Sequence, residues 1–140
     1  MTTSFGLDRY RVERRDIANN DVTIILDMPP STNNLFFNVQ GKGRVATKEY
    51  RDWKDRNSGF IKSQKPSRVS GPVEIRIQVE DNFPRRDIDN PVKPCLDLIA
   101  DRGMKIIDGD HANVVRKVTA EWADVKGVKL TISRAKARAA

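Results

Sequence analysis

The chain has 140 residues, 38% hydrophobic and 32% charged, which fits one folded domain with its own core and argues against disorder. With a single histidine and a single cysteine, Cys95, it argues against zinc fingers, His-rich metal sites, a Cys–His nucleophile pair with a spare orienting histidine, and an internal disulfide. A net charge of +7 points to a polyanionic partner, and nucleic acid is the commonest one inside a cell.

No apolar run approaches the roughly 20 residues needed to span a bilayer, so no membrane association is expected. Met1 to Tyr10 lacks the basic-then-apolar pattern of a secretory signal. The lone cysteine suits a reducing compartment, and a cytoplasmic location is expected. Gly41-Lys42-Gly43-Arg44 lacks the glycine spacing and the Ser/Thr of a P-loop, so no nucleotide cofactor is expected.

Residues 1–20 are polar and charged and read as an N-terminal extension. Val22 to Met28 reads as a strand with Val22, Ile24, Leu26 and Met28 on one face, stopped by Pro29-Pro30 and a Ser31–Asn34 turn cluster. Residues 35–46 read as a loop or hairpin with Lys42 and Arg44 near a glycine-flanked tip. Thr47 is positioned to cap a helix running through Tyr50 and Trp53 to about Ile61. A Ser/Pro/Gly-rich linker, Lys65 to Pro72, follows.

Val73, Ile75, Ile77 and Val79 alternate with Glu74, Arg76, Gln78 and Glu80, the pattern of a strand with one buried and one wet face. Val92, Cys95, Leu96 and Ile99 keep helical spacing from Pro91 onward, with Gly103 placed to end the helix. Met104 to Ile107 reads as a short strand. Val114–Trp122 and Val128–Ile132 read as two more, joined by a turn at Gly127. The predicted fold class is α/β: a single small domain over 21–134 with a mixed sheet in roughly β–α–β–α–β–β order, then a basic tail, 135–140.

With so few histidines and cysteines, carboxylates must carry most of any chemistry. Arg85-Arg86-Asp87-Ile88-Asp89-Asn90 places two carboxylates and a carboxamide behind two arginines. If this backbone is extended, Asp87 and Asp89 point to one side, about 6.6 Å apart along the chain. Two close carboxylates favour a hard divalent cation with oxygen ligands, and Mg²⁺ suits such a site. The plainer reading makes Asp89 or Asn90 the N-cap of the next helix and pairs Asp87 with Arg85 or Arg86.

Asp108-Gly109-Asp110 is a second acidic turn, which a helix packing back on the sheet would bring toward the first; its plainer reading is an ordinary Asp-Gly turn. Lys93, four residues after Asp89 and four before Asp97, shares a helical face with both and is placed to neutralise a scissile phosphate, or else simply pairs with Asp97 on the surface. His111, beside Asp110, reads as a solvated loop residue, the alternative being a contact to phosphate or a part in proton transfer.

Arg85-Arg86-Asp87-Ile88-Asp89-Asn90, then Lys93, then Leu96-Asp97-Leu98, resembles the core motif of RusA-type Holliday junction resolvases. Ile106-Ile107-Asp108-Gly109-Asp110 is similar to that family's later paired acidic motif, and Met28-Pro29-Pro30-Ser31-Thr32-Asn33 to its early Pro-Pro-Ser-x-Asn turn. The resemblance spans residues 22–133. It implies a RusA-like fold and a homodimeric endonuclease, dependent on Mg²⁺ with Mn²⁺ as a substitute, that resolves four-way DNA junctions by paired nicks. Such proteins are frequent in phages and prophages.

On that resemblance the catalytic residues are Asp87, Asp89, Asp110 and Lys93. The metal ligands are Asp87, Asp89 and Asp110, with Asp108 assisting. Arg85, Arg86, Lys42 and Arg44 are expected to contact DNA. The second motif departs from the family, whose two acids are adjacent; here Gly109 separates them, and a gapless alignment sets His111 at an acidic position. The rival readings are a branched-DNA-binding protein without catalysis and a basic scaffold or ribosome-associated protein.

Overall fold

The computed structural model describes residues 21–136; the N-terminal extension and the last four residues of the basic tail lie outside them. Strand β1, Val22–Leu26, opens the described chain. A single 3-10 turn, Thr32–Asn34, leads into a hairpin of β2, Phe36–Val39, and β3, Gly43–Ala46. Helix α1, Lys48–Gln64, begins where expected, with the Thr47 hydroxyl accepting from the Tyr50 amide at 3.1 Å. It runs three residues past Ile61 because Gln64 has a structural role described below.

Strand β4, Val73–Glu80, follows the alternation in its sequence: its four valine and isoleucine side chains are buried. Helix α2 is Val92–Ala100, and the chain closes with β5, Val115–Ala123, and β6, Val128–Arg134. The main sheet has the order β1-β6-β4-β5, with β4 and β5 parallel and the other pairs antiparallel. The protein is therefore a small single-domain α/β fold with a mixed sheet and two helices. No helix among the described residues is long and apolar enough to cross a membrane.

β5 and β6 follow each other in sequence but do not pair, because β4 lies between them. Gly127 makes the return possible. Its φ is +69°, and a Cβ there would stand 2.2 Å from the Leu26 carbonyl oxygen, so only glycine fits. Glu80 fastens the turn by accepting from the Gly127 amide at 2.7 Å.

Met104 to Ile107 forms no strand. The Ile106 and Ile107 amides both donate to Ile99 O, at 2.9 and 3.3 Å, and Ile106 O accepts from Val69 at 2.8 Å. The segment buries its two isoleucines as a bend beneath the linker, so burial rather than pairing accounts for its apolar run. Helix α2 also ends before Gly103, at Asp101, whose carboxylate takes the Gly103 amide at 2.9 Å.

The core lies between the sheet and the helices. Trp53 and Ile61 of α1 and Cys95 and Ile99 of α2 are almost fully buried with the inward residues of β1, β4 and β6. Burial pushes the Cys95 thiol well up, so it is inert as a nucleophile.

α1 also covers the outer edge of the sheet at β1. Gln64 both donates to Ile25 O and accepts from the Ile25 amide, each at 2.8 Å. Buried Asn57 accepts from the Asp27 amide at 2.8 Å, and Trp53 Nε1 donates to Asp27 O at 3.0 Å. Side chains thus replace the missing neighbour strand, a common way to blunt a sheet edge.

Candidate active site

The segment from Phe83 to Asn90 is not extended. It passes through turns, with the Arg86 amide bonded to Phe83 O at 2.9 Å and the Asn90 amide to Asp87 O at 3.1 Å. The helix that follows has Pro91 at its N-cap and no side-chain cap. Neither Asp89 nor Asn90 therefore serves as a cap. Asp89 also lies outside α2, so the helical face shared by Asp89, Lys93 and Asp97 reduces to Lys93 and Asp97.

Asn90 is committed elsewhere. Its carboxamide oxygen accepts from the Thr32 hydroxyl and, at 3.4 Å, from the Thr32 amide. Arg86 donates to Pro29 O at 2.7 Å and lies over the Phe83 ring at 5.3 Å. These two side chains hold the Pro-Pro-Ser turn against the acidic segment. Between them opens a cleft of about 560 Å³ lined by Ser31, Thr32, Asn33, Arg85, Arg86, Asp87, Asp89 and Asn90. Asp87 and Asp89 are exposed, and their carboxylates take no hydrogen bond or ion pair among the described residues.

In the first turn of α2, Lys93 Nζ lies 2.9 Å from Asp97 Oδ1 and 3.2 Å from Asp110 Oδ2. The second acidic turn is thus joined to the beginning of α2, directly after the first. Asp97 and Asp110 share the Lys93 ammonium and are shifted in opposite directions. Partial burial raises Asp97, and Asp110 adds to that against the pull of Lys93. Asp110 is lowered, first by its hydrogen bond with Asp97 and then by Lys93. Lys93 is raised by its bonds to Asp97 and Asp110.

Asp108 faces away from this group. Its carboxylate takes the Arg68 guanidinium and, at 2.8 Å, the Gly71 amide, clamping the linker that precedes β4. The Gly71 bond first, and then Arg68, hold it below the usual carboxylate range. Such a group stabilises the fold above its unfolded pKa of about 3.9, and the contribution is lost as pH falls through the lower folded value. Asp108→Asn is therefore expected to lower the melting temperature at neutral pH and to have little effect near about pH 2. Thermal melts of both chains at the two pH values test this; equal destabilisation at both rules out the charged clamp.

Gly109 has a local reason: a Cβ there would stand 3.0 Å from the His111 ring. His111 itself is exposed.

A basic and aromatic group joins the hairpin to α1. Arg44 lies 4.2 Å over the Phe36 ring, Phe36 meets Tyr50 edge-on at 5.5 Å, and Lys54 lies 4.5 Å over Tyr50. Burial raises the Tyr50 hydroxyl, and the Asp97 carboxylate contributes. Lys42 is exposed on the hairpin turn.

Asp97 and Thr32 are the site residues that sequence reasoning underrated. The spacing of Lys93 and Asp97 was a signal for the first, although it reads equally well as a surface pair. No local signal marks Thr32 as the partner of Asn90.

The donor set fits a hard cation in kind: carboxylate oxygens, with Asp87 and Asp89 uncommitted. Among the described residues no three Asp, Glu, His or Cys side chains form a ready-made metal cluster. Mg²⁺ commonly binds through one or two carboxylates completed by water and substrate phosphate. No family model matches the chain, and a search of curated proteins finds no match.

Proposed function

We propose that the protein is a Mg²⁺-dependent, structure-specific DNA endonuclease of the RusA type that resolves four-way junctions by paired nicks. The observation that carries this reading is the pair of exposed, uncommitted carboxylates of Asp87 and Asp89 in a cleft at the start of α2, where Lys93 also tethers Asp110. Carboxylates beside a DNA path weaken binding unless a cation neutralises them. A purely architectural basic protein has no use for the arrangement.

Asp87 and Asp89 would hold the ion, with Asp110 adjoining, and Mn²⁺ is expected to substitute. A bound divalent ion there supplies phosphoryl polarisation and an activated water. Lys93, which lies between Asp97 and Asp110, would meet phosphate charge. Asp108 is left out of the ligand set, because its carboxylate is occupied by Arg68 and Gly71.

Lys42, Arg44 and Arg85 are proposed phosphate contacts. Arg86 serves chiefly to hold the cleft through Pro29 O. Replacing each of the first three by alanine is expected to reduce the salt slope of junction binding by about one unit per residue. An unchanged slope removes that residue from the DNA path.

The direct test is cleavage of a labelled four-way junction beside a linear duplex, in Mg²⁺ and in EDTA. Paired nicks at the branch point in Mg²⁺ alone support the reading. Tight binding with no cutting under Mg²⁺ or Mn²⁺ favours a junction-binding protein without catalysis.

A further inference from the structure

The hairpin of β2 and β3 forms a sheet of its own, apart from the main one. Its two faces are used differently. Phe36 meets Tyr50 edge-on and carries Arg44 over its ring. Phe37, the next residue, points to the opposite face, as alternation along a strand requires. There it sits opposite Val45 and is 50% exposed, the most of any large hydrophobic side chain among the described residues. Among those residues no ring or cation stacks on it.

A single exposed phenylalanine is ordinary; its position and its electrostatic surroundings are not. Asn33 lines the cleft that contains Asp87 and Asp89. Phe37 follows four residues later, so the two Cα atoms lie at most about 14 Å apart. That is about four nucleotides along a duplex strand. The hairpin is fastened at this rim. The Thr47 amide donates to Leu35 O at 2.9 Å, the Thr47 hydroxyl to Asn34 O at 2.7 Å, and the Asn34 amide to Ser31 O at 2.8 Å. From Met28 to Lys48 the chain has no Asp or Glu, and Lys42 and Arg44 stand at the tip. The tip is also clear of the rest of the fold, since a Cβ at Gly41 or Gly43 would meet nothing within 4 Å.

A flat apolar ring among cations, with no acid beside it, matches an anionic chain that carries flat π faces. In a continuous duplex those faces are stacked on one another and closed to a side chain. Where pairing is interrupted they are open, and stacking on an aromatic side chain is then favourable for any base. We propose that Phe37 stacks on a DNA base left unpaired at or beside the branch point, while Lys42 and Arg44 hold the flanking phosphates. The inference rests on the branched-DNA reading above and adds to it the residue that separates branched from continuous duplex. Every base presents a π face, so Phe37 selects for structure rather than for sequence.

The test is made on the full chain in EDTA, so it reads binding and not cutting. The probes are a four-way junction, a duplex with one unpaired base, and the uninterrupted duplex. Phe37→Ala is expected to weaken binding to the first two by about 5- to 100-fold and to leave the third nearly unchanged. Phe37→Trp, with a larger flat ring, is expected to keep the preference. Phe37→Leu, apolar but not flat, is expected to lose it. The salt slope is expected to stay the same in Phe37→Ala, because no charge is removed. Circular dichroism melts establish that each variant is folded. As a second readout, 5-iodouracil placed at positions around the branch point and irradiated is expected to cross-link to the peptide that holds Phe37.

The proposal is overturned by a wild-type chain with no preference for the first two probes over the third. Unchanged junction affinity in Phe37→Ala, equal loss on all three probes, full retention by Phe37→Leu, or cross-links that never include Phe37 overturn it as well. The nuclease reading fails separately. A chain that prefers junctions through Phe37 yet cuts none in Mg²⁺ keeps this inference and loses that one, and normal cutting with undiminished binding in Phe37→Ala does the reverse.

Discussion

Asp87→Asn and Asp89→Asn are each expected to reduce Mg²⁺-dependent junction cutting by about 10²–10³-fold or more, while junction binding is retained or strengthened. Both side chains are exposed, lie on turns and have no partner among the described residues, so their amides are expected to cost the structure little. What each change removes is one of two uncommitted negative charges in the cleft. On the proposed function, that would weaken the hold on a divalent ion and lessen repulsion toward phosphate. Binding is measured by gel shift in EDTA, and cutting on the same junction in Mg²⁺. Normal cutting by either variant takes that residue out of the site. Loss of binding together with cutting assigns the carboxylates to the local fold.

The largest expected effect on stability is at Trp53. It is 1% exposed, lies at the centre of the core, and its Nε1 donates to Asp27 O. Trp53→Ala is expected to cost about 3–5 kcal/mol, a large share of the stability of a domain this size, and to lower the melting temperature by on the order of 10–20 °C. Trp53→Phe keeps much of the volume and loses the hydrogen bond, so a cost nearer about 1 kcal/mol is expected.

The effect reaches the site as well. Trp53, Asn57 and Arg56 together grip Asp27, and the chain runs from there into the Pro29–Thr32 turn that Arg86 and Asn90 hold. Thermal melts of the two variants measure the cost. A wild-type melting temperature for Trp53→Ala contradicts the packing described.

Much of the local structure is legible in the residues alone. Strict alternation from Val73 to Glu80 and the Thr47 cap before Tyr50 and Trp53 each specify an element through neighbours a few residues away. The acidic doublet at Asp87 and Asp89 is also visible, because nothing but spacing is needed to see it. Met104 to Ile107 shows where such reasoning stops. A short apolar run marks burial, and only the position of Ile99 O decides that its amides meet a helix end rather than a strand.

The sequence by itself determined the α/β class, the principal helices and strands, and a concentration of acidic residues around one helix in a basic chain. Tertiary structure decided the rest through contacts between residues far apart in the chain. It placed β6 between β1 and β4, turned Asp108 toward Arg68 and Gly71, and gave Asn90 to Thr32. It also joined Asp110 to Lys93 across a separation of 17 residues. Two aspartates one residue apart are alike in sequence. Opposite sides of the same turn present one to a linker backbone and the other to a lysine, and only the packed fold distinguishes them.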